Sequence, residues 1–420
     1  LLLVRWNFYI CLQQTGETMA EQGKLPSSFL IDARLEEVLC QILKIDPAEW
    51  RATTALWASG NAWTIHKIPK KKGHRVIHAP SDPLKKVLRA ILTQLIQGIP
   101  VHLSVHGAHS GTSIVTNARV HSGNKAFYQL DLKDAFPSVD RKRCATIFKP
   151  TFTGYVGVVT GLPEQDAGRL AETFIDLLIV DNVLPQGFPT SPAVLNVLLG
   201  QVDRNIAQLL REASKKDEVV YKYTRFVDDL TISSSDEVIP KKLRQAIRRV
   251  IKSDGWTIQG TKVSYFGEGP DGDEENTTKY PEVTGIIPNQ DGRLTIPRPR
   301  LNKFRAILHN LLEAADKRAS GDTAAIEAVR AQMVKDAEAF KKRGINLDPG
   351  LSPEQFYVRE WPLTTREHRL LVGIVGFVGM VYDQKLSSAI RDLYLKAKER
   401  FRIGTRDMNQ GHSYSFIKEV

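Results

Sequence analysis

Ten residues constrain this chain more than any others: Tyr223-Thr224-Arg225-Phe226-Val227-Asp228-Asp229-Leu230-Thr231-Ile232. Both flanks are β-rich, with Val219, Val220, Tyr221 and Tyr223 before the pair of aspartates and Leu230, Thr231 and Ile232 after it. On a continuing strand neighbouring side chains point to opposite faces, so Asp228 and Asp229 could not both meet one ion. At a tight hairpin turn they come closer, and at least one can face a metal. Adjacent carboxylates in a half-buried hairpin repel each other unless cations neutralise them. The alternative reading is a solvated Asp-Asp turn.

A second acidic strand narrows the choice. Phe127-Tyr128-Gln129-Leu130-Asp131-Leu132-Lys133-Asp134-Ala135-Phe136 is again β-rich and sets Asp131 at the end of an apolar run. Three aspartates from two strands suit a hard divalent cation, because Mg²⁺ prefers a few carboxylates plus substrate phosphates to an all-protein cage. Two such ions about 3.5–4 Å apart activate an attacking hydroxyl and stabilise a leaving pyrophosphate.

These segments resemble reverse transcriptases. Phe226-Val227-Asp228-Asp229 is similar to their catalytic box and Asp131 to the aspartate of their first palm strand. Leu184-Pro185-Gln186-Gly187-Phe188-Pro189-Thr190-Ser191-Pro192 resembles the nucleotide-side motif between them, and all three occur in the family's order. Two shorter signatures narrow the resemblance to the retron-type bacterial enzymes. They are Asn117-Ala118-Arg119-Val120-His121, just before the first palm aspartate, and Val283-Thr284-Gly285. Two departures stand against it: Phe226-Val227 where tyrosine and alanine are commoner, and Pro288-Asn289 where Val-Asn is usual.

The resemblance implies an α+β right-hand polymerase fold, with fingers, an antiparallel palm sheet backed by helices, and an all-α thumb. The expected boundaries are an N-terminal extension over 1–28, fingers over 29–125, palm over 126–290 and thumb over 291–420. It also implies metal binding by Asp131, the Leu132 backbone oxygen, Asp228 and Asp229. Asp229 is the least defined of these ligands, with positioning Asp228 as its other role. The ions would be two Mg²⁺, with Mn²⁺ a possible substitute. Lys70 and Arg75, on a basic turn between two β runs, are the expected triphosphate contacts; a solvated loop is the plain alternative. Backbone at Asp134 and Ala135 would lie near the nucleotide, with Asp134 a distant acid or a helix N-cap. Phe136 would fill the space of a ribose 2′-OH, or else be a core phenylalanine. Gln186 would hydrogen-bond nucleotide or template sugar, while Gly187 permits close backbone approach. Lys262 would assist pyrophosphate departure, or be a surface lysine. Asn117, His121, Val283, Thr284 and Gly285 would recognise RNA, with Asn117 and His121 pinning the fingers to the palm as the plain alternative. Arg298, Arg300, Lys303 and Arg305 would lie on a duplex backbone or else form a solvated helix face.

Composition agrees with a polyanionic partner: the 420 residues carry a formal net charge of +11. Three dispersed cysteines, Cys11, Cys40 and Cys144, exclude a disulfide framework and a zinc ribbon and fit a reducing cytoplasm. No apolar run reaches the ~18 residues of a membrane span, so no membrane partner is expected. The leading Leu1-Leu2-Leu3-Val4 run lacks a preceding basic segment, so Met19 is the expected natural start. Four histidines, His102, His106, His109 and His121, have no carboxylate or cysteine nearby in sequence to complete a metal site. Helical patterns are expected over 29–58, 83–97, 164–181, 239–253, 323–343 and 385–402.

Three functions follow. The first is a retron reverse transcriptase that takes dNTPs and copies a cognate structured non-coding RNA into an RNA–DNA hybrid, in antiphage defence with a separate effector protein. The second is another bacterial defence reverse transcriptase with a different template or primer. The third is a non-catalytic RNA-binding protein on the same scaffold. Retention of three aspartates argues against the third, since uncompensated carboxylates bring no structural benefit.

Overall fold

The computed structural model describes residues 25–69, 73–268, 276–277, 280–319, 365–382 and 388–400. Lys70, residues 1–24 with Met19, and the helix expected over 323–343 lie outside the described residues. Two compact units divide the chain after Thr284.

The first unit opens with two short helices, each started by an aspartate. Asp32 caps α1 (Ala33–Leu43) by accepting from Leu35 N, and Asp46 caps α2 (Pro47–Ala58) by accepting from Ala48 N, with Pro47 in the first turn. The basic turn joins β1 (Trp63–Pro69) to β2 (His74–Pro80) as an antiparallel hairpin. Next come α3 (Asp82–Ile91), extended by a wider turn over Leu92–Ile96, and α4 (Ile114–Val120), which a Ser113–Thr116 capping box starts. Strand β3 (Ala126–Asp131) leads to α5 (Arg141–Thr160) and α6 (Glu164–Leu178), then to α7 (Ser191–Leu198) and α8 (Gly200–Asp217). Strands β4 (Tyr221–Phe226) and β5 (Asp229–Ser234) precede α9 (Lys241–Ser253), β6 (Ser264–Phe266) and the two-residue β7 (Asn276–Thr277).

These strands form one sheet in the order β4-β5-β3-β6-β7, antiparallel except for β6 with β7. Its register separates two faces. Leu130 faces Leu230 and Tyr128 faces Ile232, and all four are buried against the helices. The alternate positions pair Gln129 with Thr231 and Asp131 with Asp229. One face is thus an apolar floor backed by helices, and the other is polar with its acids at one end.

The second unit begins with the short hairpin of β8 (Ile287–Pro288) and β9 (Leu294–Thr295), then runs through α10 (Arg298–Ala319), α11 (Thr365–Tyr382) and α12 (Ser388–Arg400). Leu308, Leu311, Leu312, Leu371, Val375 and Val378 are buried within it, with Phe304 edge-on to Phe377.

Candidate active site

Phe226 pairs with Asp229, which leaves Val227 and Asp228 as a two-residue hairpin turn. Only the first of them has a left-handed φ, +62° at Val227, a geometry that hairpin turns usually give to glycine. Asp229 opens β5 directly opposite Asp131, the last residue of β3. Leu132 N donates to Asp228 O at 3.1 Å just beyond this pair. Asp131 and Asp229 are therefore a non-hydrogen-bonded pair, the type whose side chains come closest. Like charges so placed repel.

The electrostatics record that repulsion. Burial first, then the Asp131 charge, pushes the Asp228 carboxyl up from the ordinary range. Asp229 is raised too, by its surroundings first and then by Asp228 and Asp131. Neighbouring groups crowd the Asp229 carboxyl, while the outer edge of the residue is open to solvent. One cation answers from inside the site: Lys262 Nζ donates to Asp131 Oδ1 at 2.7 Å. Lys262 and Arg75 both act to lower the Asp228 pKa, which places the charge of the β1–β2 hairpin within reach of this carboxylate.

Leu132 adds an oxygen. Gln259 N donates to Asp131 O and Lys133 N donates to Thr257 O, each at 2.8 Å, on either side of a Leu132–Ile258 bridge. In that antiparallel pattern the N–H and C=O of Leu132 face the other way, toward Asp228. The donor set is hard oxygen throughout, the kind a divalent cation of the Mg²⁺ class accepts, and its net charge exceeds what Lys262 cancels. Among the described residues no three or more His, Cys, Asp or Glu side chains converge as the ligands of one ion. Beside it lies a cleft of about 190 Å³ lined by Gln129, Asp131, Asp229, Thr231, Lys262 and Thr284, among others.

The remaining site residues divide. Asp134 (φ +47°), Ala135 and Phe136 form the turn after β3; Ala135 is buried and Phe136 is half-buried against the core. Asp134 caps no described helix, and Asp140 caps α5 instead. Gln186 O accepts from His78 N at 2.7 Å, and a Cβ on Gly187 (φ +115°) would stand 2.4 Å from the His78 carbonyl oxygen. The close approach that Gly187 permits is thus to β2.

Two expectations need correction. His121 is fully buried: one ring nitrogen bonds Ser233 Oγ and the other Thr224 Oγ1, both at 2.7 Å. Burial pushes its pKa down to about 3, so the ring is neutral, and no edge is left to read RNA. Asn117 is 1 % exposed and donates to Thr284 Oγ1, while Thr284 donates to Ile114 O. Val283 is buried as well. Asn117, His121 and Val283 thus join α4 to the sheet and to residue 284, while Thr284 is half-exposed and lines the cleft. In the second unit Arg298, Lys303 and Arg305 are exposed. Arg300 is not: it is half-buried and donates to Gly285 O at 2.6 Å.

Sequence reading missed the support behind the turn. Arg225 lies on the helix-backed face with no exposed side-chain surface, salt-bridged to an equally buried Asp203 of α8. The signal was available, since Asp203 falls on the apolar stripe of Val202, Ile206 and Leu210, where a lone acid needs a buried partner.

Comparison with known proteins agrees with this geometry. Residues 68–283 match the reverse transcriptase (RNA-dependent DNA polymerase) family, and the chain belongs to it. Its relatives include two retron reverse transcriptases of Myxococcus xanthus. Retron Mx162 reverse transcriptase is 30 % identical over 59 % of this chain and 52 % of that protein. Retron Mx65 reverse transcriptase is 32 % identical over 59 % of this chain and 56 % of that protein. The chain thus spans about half the length of the curated relatives it matches. Telomerase from Candida tropicalis, solved with a fragment of telomeric RNA, aligns over 90 % of this chain and 66 % of that one at 12 % identity, with a TM-score of 0.41, too loose a likeness to argue from. Among the described residues no helix is long and apolar enough to cross a membrane.

Proposed function

We propose that this chain is the RNA-directed DNA polymerase of a retron, extending a primer hydroxyl with dNTPs on a structured non-coding RNA to give an RNA–DNA hybrid. The observation that carries the reading is the Asp131–Asp229 pair with Asp228 on the adjoining turn, a concentration of negative charge at the end of a polar sheet face. Asp131, Asp228 and the Leu132 carbonyl would hold Mg²⁺ or Mn²⁺, with Asp229 completing the set or orienting Asp228. When bound, the ions would activate the attacking hydroxyl and neutralise charge on the leaving pyrophosphate. Residues of the chain do the rest by position and charge, because phosphoryl transfer needs no covalent nucleophile. Arg75 grips the triphosphate. Phe136 blocks a 2′-OH. Lys262 exchanges its bond to Asp131 for one to the departing phosphates.

In this reading the fingers span 29–125, the palm 126–290 and the thumb 291–420, with Arg298, Lys303 and Arg305 on duplex phosphates. The RNA is cognate to the enzyme, and a separate effector protein completes a cytoplasmic antiphage system. Asp228→Asn keeps the shape of the carboxylate and removes its charge. It is expected to lower primer extension by at least ~10³-fold with RNA affinity within ~3-fold, and extension near the wild-type rate would remove Asp228 from the site. Phe136→Val is expected to raise rNTP relative to dNTP specificity by about 10-fold or more, and an unchanged ratio would make Phe136 a core residue. A branched RNA–DNA hybrid copurifying with the protein would identify the retron chemistry; an unbranched product would favour another primer.

A further inference from the structure

The turn that carries Asp228 is not one its own sequence favours. Val227 sits at φ +62°, where a β-branched residue is a strained outlier. Such strain persists only where the surroundings over-determine it. The surroundings here are a buried guanidinium with every donor in use. Arg225 Nε and Nη2 donate to the two oxygens of Asp203 at 2.9 and 2.6 Å. Nη1 donates to Asn196 Oδ1 and to the Val227 carbonyl, each at 2.8 Å, and Nη2 donates also to Asn196 O at 3.3 Å. These account for all five N–H groups of the side chain.

The acceptors are themselves held. Tyr223 Oη donates to Asp203 Oδ1 at 2.7 Å, and Asn196 Nδ2 donates to Gly107 O at 2.7 Å. Gly107 lies against the turn from the other direction: a Cβ there would stand 2.7 Å from Val227 N. The Arg225 backbone is pinned too, donating to Ser104 O at 2.7 Å and accepting from His106 N at 2.8 Å. A buried ion pair of this kind is commonly no more stabilising than apolar residues of equal volume, so stability alone does not account for it. What apolar residues could not do is hold a carbonyl.

We propose that Arg225 is a positioning residue: locked by Asp203 and Asn196, it fixes the Val227 carbonyl and so sets where the Asp228 carboxylate stands. The inference rests on the reading of Asp228 as a catalytic carboxylate. Arg225 touches neither substrate nor metal. It acts through one peptide group, and a planar fork with five fixed donors suits that task where a lysine does not.

The test is the full-length double variant Arg225→Met with Asp203→Leu, which replaces the ion pair by apolar volume. Thermal melting, affinity for an annealed primer–template, kcat per titrated active site and Mn²⁺ binding followed by paramagnetic resonance are measured together. The expected result is a melting midpoint near that of the wild type and primer–template affinity within ~3-fold, with kcat down at least ~50-fold and Mn²⁺ bound at least ~5-fold more weakly, since misplacement by about 1 Å alone costs on the order of 100-fold. A double variant with wild-type kcat and Mn²⁺ affinity overturns the proposal. Should the double variant fail to fold, Arg225→Lys keeps the charge balance and takes its place. The same loss in kcat and Mn²⁺ binding is expected there, and wild-type values overturn the proposal. Asp228→Asn is made in parallel. If it is inactive while the Arg225 variants are active, only the positioning proposal falls. If it is active, the assignment of Asp228 falls and the proposal with it.

Discussion

Two charged clusters lie within a few residues of each other on the β4–β5 hairpin and follow opposite rules. Behind the sheet, Arg225 and Asp203 are fully buried, opposite in charge and saturated with hydrogen bonds. At the tip, Asp131, Asp228 and Asp229 are like charges crowded until two are pushed toward protonation, with Lys262 answering Asp131. The first cluster is complete without a ligand, and losing one partner alone leaves the other buried and unpaired. The second is electrostatically incomplete, and a cation would satisfy it. Opposite charge stands where the hairpin is packed against helices, and like charge where, in the proposed reading, a cation binds.

Removing one carboxylate is therefore expected to have opposite consequences in the two places. Asp203→Leu strands the Arg225 guanidinium without its partner, and breaking a buried pair in this way is expected to cost about 3–5 kcal/mol of stability. Chemical denaturation of the variant against the wild type reads it directly. A loss below about 1 kcal/mol would mean that water or another acceptor reaches Arg225, and the contrast would collapse.

A smaller effect sharpens the comparison on the polar face. His121→Ala removes two 2.7 Å hydrogen bonds and leaves the Ser233 and Thr224 hydroxyls buried. The expected cost is about 2–3 kcal/mol, with use of a structured RNA and of a generic primer–template falling in parallel. Selective loss on the structured RNA, at unchanged stability, would return His121 to RNA recognition.

The legible part of this molecule was the part whose chemistry is local. β-rich runs marked β3, β4 and β5, apolar periodicity marked the helical stretch over 29–58, and the doubled aspartate marked a turn. The family membership was legible in the order of three motifs. What could not be read was which partner a polar residue meets. Asn117 and His121 stand four apart, as a reader of RNA bases would, and the same spacing equally serves to pin a helix to a sheet. Only the third dimension shows Thr224 and Ser233 closing on both ring nitrogens. Arg225 was in plain view within the most informative stretch, but Asp203 lies 22 residues away on another element. Arg300, apparently one cation of a basic helix face, turns back to the Gly285 carbonyl for the same reason.

The smallest expected effect lies at the tip and has the opposite sign to that of Asp203. Asp229 has its pKa raised in the folded protein, so its ionised form is less welcome there than in the unfolded chain. Such a group brings no penalty below the ordinary carboxylate pKa of about 3.9; the penalty grows as pH rises and levels off above the folded pKa. This reverses the usual case of a salt-bridged aspartate, whose stabilisation appears as pH rises. Asp229→Asn removes the charge at every pH. In protein stripped of divalent ions with a chelator, the variant is expected to melt higher than the wild type at pH 8, by roughly 1–2 °C for a protein of this size. Solvent at the exposed edge of Asp229 keeps the effect this small. The difference should shrink as pH is lowered toward 5, where the folded wild type takes up the proton that asparagine never needs. Adding Mg²⁺ at pH 8 should also narrow the gap, because the wild type binds the ion more tightly and gains stability by mass action. A variant less stable than the wild type at pH 8 would mean that Asp229 is held by favourable bonds, and that the tip of the hairpin is built on the same rule as its back.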